Sequence, residues 1–219
     1  MQIEKFNRFN AMALASVYSE PEENNFHTQL IPQMVDKYVP LMELDKDAAI
    51  LDVGCGYGTF QTKMAEMGYT NTIGVTLSDE DYKASESKGM TVIKSDFSDI
   101  PSVEDETVDM IWCRHALEHS PYPLFTLYEF NRLLKPGGKV YVEVPAPDCE
   151  RQHEANPNHY SILGITMWMF LFARAGFDAL MVDKFQLTLK AEDHDVPEEY
   201  LIFLLEKKNV HEVRIKEAA

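Results

Sequence analysis

Residues 50–58 read Ile-Leu-Asp-Val-Gly-Cys-Gly-Tyr-Gly. A short apolar run containing Asp52 passes into glycines at every second position, Gly54, Gly56 and Gly58, and an amphipathic helical pattern begins at Thr59. A strand that enters a glycine turn and then a helix leaves backbone N–H groups facing outward, where a ligand can meet them. Glycine suits the turn because a Cβ would block close approach and oppose positive φ. The segment predicts that a nucleoside-containing small molecule binds at the end of the first strand.

The rest of the chain extends this pattern. Apolar runs at Ala48–Val53, Thr72–Val75, Met90–Lys94, Val108–Cys113 and Lys139–Val144 read as strands, with helical patterns over Thr59–Met67, Asp79–Lys88 and Tyr122–Leu134 between them. Pro136-Gly137-Gly138 reads as a turn. Phe185–Lys190 and Tyr200–Lys207 read as two late strands, and Ile162–Ala175 as a helix ended by Gly176. Ahead of the first strand, His27–Leu44 reads as a helix with Leu30, Met34, Tyr38 and Leu41 on one face. Phe6, Phe9, Met12 and Ala13 also have helical spacing, suited either to packing on the core or to covering the ligand as a lid, and Ser19–Asn25 reads as a loop. Strand–helix alternation over this length predicts an α/β fold with a mostly parallel sheet covered on both faces. Right-handed crossovers then bring the strand ends, including Thr76, Asp96 and Arg114, to the rim where the glycine turn lies.

Composition narrows the partners. The formal net charge is −16, which repels DNA and RNA, and no basic patch offsets it. Cys55, Cys113 and Cys149 are too few and too scattered for a disulfide framework or a zinc ribbon, so a reducing cytoplasm is expected. Ile162–Ala173 is apolar but broken by Thr166, so no membrane span is expected.

Two cofactor classes use a glycine turn after the first strand. The dinucleotide fingerprint needs G-x-G-x-x-G/A and an acidic residue about twenty positions on. Here the third position of that fingerprint is Thr59, and the second strand ends in Gly74-Val75-Thr76-Leu77-Ser78 without a carboxylate. Leu51–Gly58 instead resembles motif I of the class I S-adenosylmethionine-dependent methyltransferases. Three further landmarks fall in that family's order: Ser95-Asp96-Phe97, the segment Val108–His119, and Leu133-Leu134-Lys135-Pro136-Gly137-Gly138-Lys139-Val140. Together they resemble the small-molecule branch, of the type 11 and type 23 kind, over about residues 48–145.

The resemblance implies a Rossmann-like sandwich with a mostly parallel seven-stranded sheet, helices on both faces and an N-terminal helical lid. It divides a single methyltransferase domain into an N-terminal helical cap (1–45), a cofactor-binding core (46–145) and a substrate-side cap with the last strands (146–219). The cofactor it implies is S-adenosylmethionine, released as S-adenosylhomocysteine. Gly54, Cys55 and Gly56 would make backbone contacts with its amino-acid half, and Asp52 would orient the turn or meet the ammonium. Asp96 and Phe97 would bind adenine, and Arg114 would border the methionine part. Thr76 and Leu77 stand at the ribose, where most of the family has an acid; Ser78, Asp79 or Glu80 is expected to share that contact. Met167, Trp168 and Met169 fit either the core or an apolar pocket wall.

The expected reaction is in-line methyl transfer to a small-molecule oxygen, nitrogen or carbon nucleophile. A base is needed only if that nucleophile starts protonated. His115 and His159 are the candidates for it, with His119 and His153 as lesser ones. The same histidines with Glu118 or Glu143 offer a metal set as a rival reading, although the expectation is that no metal is bound. The alternatives to an enzyme of this kind are a non-catalytic cofactor-binding scaffold and, more remotely, a nucleotide-dependent oxidoreductase. The sequence is silent on oligomeric state.

Overall fold

The computed structural model describes residues 2–15, 25–190 and 194–208. The loop expected at Ser19–Asn25 lies outside these except for Asn25. Seven strands form one sheet: β1 (Ile50–Val53), β2 (Thr72–Thr76), β3 (Val92–Lys94), β4 (Val108–Arg114), β5 (Leu134–Pro145), β6 (Phe177–Lys190) and β7 (Asp195–Lys207). Their order across the sheet is β3-β2-β1-β4-β5-β7-β6. The first five are parallel, and β7 enters antiparallel between β5 and β6. The order reverses beside β1, so the crevice at the C-terminal ends of β1 and β4 is where an open sheet of this kind takes a ligand.

Alternation along the strands builds two cores. Leu51, Val53, Ile111, Cys113, Val140, Val142 and Val144 face one side and pack with Leu127, Phe130 and Leu133 of α5 (Pro123–Leu133) and Trp168 and Phe172 of α6 (Ile165–Arg174). Ile50, Met110, Trp112 and Tyr141 face the other and pack with Met34, Val35 and Tyr38 of α2 (Phe26–Tyr38) and Phe60 and Met64 of α3 (Thr59–Glu66). Period-two alternation requires this division. On the second side Phe60, Trp112 and Tyr141 stack in series, with ring centroids 4.6 and 3.8 Å apart. Trp168 is therefore a core residue, and Met167 is half exposed to solvent on the outer face of α6.

Three local departures from the sequence reading have physical causes. The helix expected to run to Leu44 changes at Val39 into a short 3-10 helix, Val39–Met42. Pro40 lacks the N–H that an α-helix needs there, and the tighter winding turns Leu41 outward to 50% exposure instead of onto the core face. The Pro136-Gly137-Gly138 turn is an excursion within β5: Val108 pairs with Leu134, and Met110 already pairs with Lys139. The late strands are longer than their apolar runs, because β6 and β7 pair from Phe177↔Lys207 to Lys190↔Asp195, with one register shift between Ala179 and Met181. Residues of β6 alternate between exposed and half-buried, so as an edge strand it needs no continuous apolar run.

The N-terminal helix α1 (Ile3–Ala13) reaches the edge of the crevice at its C-terminal end. Phe6 and Phe9 pack against Tyr122, with centroids 6.0 Å away in each case, and Tyr160 donates its hydroxyl to the Ala13 carbonyl at 3.0 Å. Ala13 and Leu14 line the cavity, so this segment joins the stretches after β4 and β5 at its edge.

Candidate active site

The C-terminal rim of the sheet opens into a cavity of about 480 Å³. Asp52, Gly54, Cys55, Gly56, Thr76, Leu77, Asp96, Phe97, Arg114, His115 and His159 all line it. The residues expected at the cofactor and at the acceptor thus share one cleft. Its charge is segregated by strand order. Asp52 is the penultimate residue of β1, Asp81 lies in the first turn of α4 (Asp79–Ser87) after β2, and Asp96 follows β3, so carboxylates gather along one arm. Arg114 ends β4, His115 and His119 follow it, and Arg151, His153 and His159 follow β5, so cations and imidazoles line the other.

The glycine turn is anchored from below. Gly54 and Cys55 donate their N–H groups to the Val75 carbonyl at 2.9 and 3.2 Å. Two of the amides expected to meet a ligand are therefore used in extending the β1–β2 pairing. What the turn offers at those residues is close approach and carbonyl oxygens. Gly54 has φ +75°, and a Cβ built on it would fall 2.8 Å from the Ala116 Cβ on the opposite wall.

Beyond β2, Thr76 is buried and its Oγ1 accepts from the Ser78 N–H at 3.1 Å, which shapes the turn into α4. The Ser78 side chain then caps α4 by accepting from Asp81 N–H at 3.1 Å. Of the acidic residues in that first turn, Asp79 lies outside on Lys94, whereas Asp81 is 4% exposed and faces the cleft. Asp81 was missed by the sequence reading. Its signal was the Ser78 cap, which fixes the helical phase and turns the third residue of α4 inward. Asp81 and Asp52 both raise the Cys55 thiol pKa, after burial as the main cause, so all three groups are close. On β3's loop, Asp96 Oδ1 accepts from Ser98 N–H at 2.8 Å and Oδ2 lies 3.4 Å from the Tyr122 hydroxyl.

The other arm rests on a buried ionic network. Arg114 and Glu143 are register partners on β4 and β5, and Glu143 is fully buried. Arg114 Nε donates to Glu143 Oε2 at 3.0 Å, Nη2 lies 3.0 Å from Oε1, and Nη1 donates to the His27 carbonyl at 3.0 Å. Tyr141 also donates its hydroxyl to Glu143. His115, at φ +50°, places Nε2 2.9 Å from Glu143 Oε1 and Nδ1 3.5 Å from Glu118 Oε1. Burial and the Arg114 charge push its pKa down, but the two carboxylates outweigh them and hold it above the ordinary histidine value. Burial would raise Glu143, but the Arg114 charge and the bond from His115 bring it down to about 2. His27 packs edge-on against His115 with centroids 4.9 Å apart; burial first, then the charges of His115 and Arg114, lower it to about 3. The wall thus carries the Arg114 cation, a His115 ring biased toward its protonated form, two carboxylates and a neutral His27 imidazole.

His159 sits on the irregular segment after β5. Its Nδ1 is 2.9 Å from the His153 carbonyl, and Asn156 Nδ2 is 3.2 Å from its Nε2. Its pKa is lowered, mainly by burial. All three cysteines are free thiols, and burial raises Cys55 and Cys113, so neither is a ready nucleophile. Among the described residues no helix is long and apolar enough to cross a membrane.

A family model described as a methyltransferase domain matches residues 26–189. The 27-O-demethylrifamycin SV methyltransferase of Amycolatopsis mediterranei is 23% identical over 163 residues, covering 67% of this chain and 60% of that protein. The ubiquinone biosynthesis O-methyltransferase of Xanthomonas oryzae pv. oryzae is 35% identical over 102 residues, covering 43% of this chain and 42% of that protein. The chain therefore spans less than two thirds of the length of either relative. Among solved structures, a SAM-dependent methyltransferase from Archaeoglobus fulgidus superposes with a TM-score of 0.65 at 18% identity, covering 92% of this chain and 99% of that one.

Proposed function

The chain belongs to the class I S-adenosylmethionine-dependent methyltransferases, and from that premise we propose that it methylates a small-molecule acceptor in the cleft above β1 and β4. The observation that carries the reading is the shared cavity: carboxylates and a glycine turn on one arm, imidazoles on the other. When bound, the cofactor supplies an activated methyl group on a sulfonium centre.

The residues fit that group. A cavity of about 480 Å³ lies within the usual 300–1,000 Å³ range of ligand pockets. Gly54 keeps the turn close to Ala116 without a side chain between them, giving the amino-acid half a place beside Asp52, Cys55 and Gly56. Asp81 replaces the acid that Thr76 lacks and accepts the ribose hydroxyls beside Leu77. Asp96 and Phe97 hold the adenine. Arg114, fixed by Glu143 and the His27 carbonyl, borders the methionine part as a positioning residue. His115 is likewise a positioning residue, since both its ring nitrogens face carboxylates. Acceptor activation then falls to the wall carrying Glu118, His119 and His159. One relative is named as an O-methyltransferase and the other for a 27-O-demethyl substrate, which supports oxygen as the nucleophile.

Turnover is tested by following S-adenosylhomocysteine release over a panel of small hydroxyl, amine and carbon-acid acceptors. Release with hydroxyl compounds is the expected result. Tight cofactor binding with no release from any class would make the protein a binding module instead. Asp81→Ala and Asp96→Ala are each expected to weaken S-adenosylhomocysteine binding about 10- to 100-fold, the size of a hydrogen bond to a charged group. Asp79→Ala, outside the cleft, should leave it unchanged. Calorimetry showing equal affinity for all three variants would remove the ribose and adenine assignments.

A further inference from the structure

Glu118, His119 and His159 come together on the acceptor wall in an arrangement that the binding of the methyl donor does not use. Each offers a ligand atom, and the three atoms lie within 4.8 Å of one another. Glu118 is 1% exposed; its Oε1 faces His115, and its Oε2 is buried with no hydrogen-bond partner. A buried carboxylate oxygen left without a donor is costly unless something cationic meets it.

The two imidazoles are already oriented. His119 Nδ1 is 2.8 Å from the Asn158 carbonyl, and His159 Nδ1 is 2.9 Å from the His153 carbonyl. A carbonyl only accepts, so in each ring Nδ1 is the donor, and Nε2 is the nitrogen through which the ring would bind a metal. A carbonyl on the far nitrogen is the usual second shell of a metal-ligating histidine. The rings are 4.9 Å apart at 68°. The two segments are also tied together, since Tyr160 and Ser161 donate backbone N–H groups to the Glu118 carbonyl at 2.8 and 3.1 Å. The Asn156 amide now beside His159 Nε2 is a weak contact at 3.2 Å, and an entering ion would displace it.

We propose that Glu118, His119 and His159 bind one divalent first-row transition metal at the acceptor side of the cleft, with a hydroxyl of the acceptor completing its coordination. Imidazole nitrogens favour zinc, iron, cobalt or nickel over magnesium or calcium. Three protein ligands leave positions open toward the cavity, as in catalytic rather than structural sites. A hydroxyl bound there becomes more acidic, so its proton passes to bulk water and the oxygen is left as the nucleophile. With an ion in place, the acceptor hydroxyl needs no separate histidine base. The neighbouring trio Cys149, His153 and Glu198 is a poorer candidate, because His153 and Arg151 already hold both oxygens of Glu198.

The inference rests on the methyltransferase reading for what the ion does, but not for whether it binds. Chelator-stripped protein is titrated with zinc by calorimetry and with cobalt by visible absorption, and S-adenosylhomocysteine affinity is measured on the same samples. One equivalent of metal per chain is expected. Glu118→Gln and His159→Ala should each weaken zinc binding more than about 100-fold, beyond the 10- to 100-fold typical of outer-shell changes, with S-adenosylhomocysteine affinity retained. Cofactor binding without stoichiometric metal binding would overturn the metal site and leave the methyltransferase reading standing. So would metal binding that survives both substitutions. Metal binding lost in the variants, in a protein that never binds the cofactor, would support the site and count against the reading of the cleft.

Discussion

A Gly54→Val protein is expected to bind S-adenosylhomocysteine at least about 100-fold more weakly than the parent, a loss of about 2.7 kcal/mol. The cause is local. Gly54 holds φ +75° and is tied to Val75 by its own N–H, so the turn cannot relax without breaking the β1–β2 pairing. A non-glycine residue in that region carries about 1–3 kcal/mol of strain, and a Cβ would meet the Ala116 Cβ at 2.8 Å. The turn must move, and Gly54 lines the cavity, so the movement alters the cavity wall. The milder Gly54→Ala separates the two terms. Adding Ala116→Gly removes the contact and leaves the strain, so the double variant should recover part of the lost affinity. Circular dichroism reports whether each variant is folded, and calorimetry reports the affinity. Wild-type affinity in a folded Gly54→Val protein would mean that the turn does not face the ligand.

Glu143→Gln is expected to destabilise the fold by about 3–5 kcal/mol at neutral pH, because it leaves the buried Arg114 cation without its anion and removes the carboxylate that meets the His115 ring. The pH dependence follows from the same group. Its folded pKa is depressed to about 2 by Arg114 and His115 despite the opposing effect of burial, against about 4.3 in an unfolded chain. A depressed carboxylate contributes stability that is fully present above the unfolded value and lost as pH falls through the folded one. For a shift of this size that is about 3 kcal/mol, declining between about pH 5 and pH 2. Urea denaturation from pH 7 downward should therefore show the wild type losing more stability with acid than Glu143→Gln does. Parallel curves would place the charge of Glu143 outside the network.

Much of this architecture was legible because it rests on local chemistry. The run into Gly54, Gly56 and Gly58 fixed the end of β1, and strand–helix alternation fixed the direction of the sheet, so Thr76, Asp96 and Arg114 came to the same rim. What stayed hidden depended on phase or on distant partners. Asp81 faces the cleft only because Ser78 caps α4, and Asp79, three residues past Thr76, turns to Lys94 instead. Glu143 sits within a run of valines and a tyrosine, and its value to the fold comes from Arg114 on the neighbouring strand. The carbonyls that orient His119 and His159 belong to a segment without regular structure, where spacing predicts nothing. Leu41 was misplaced because the α-helical period was carried past Pro40.

The rim cleft is expected to take an S-adenosyl cofactor. Isothermal titration of the wild-type protein with S-adenosylhomocysteine, run beside NADH, tests it most directly. One equivalent bound in the micromolar range, with no heat from NADH, is the predicted result. Saturable NADH binding with none of S-adenosylhomocysteine would contradict it.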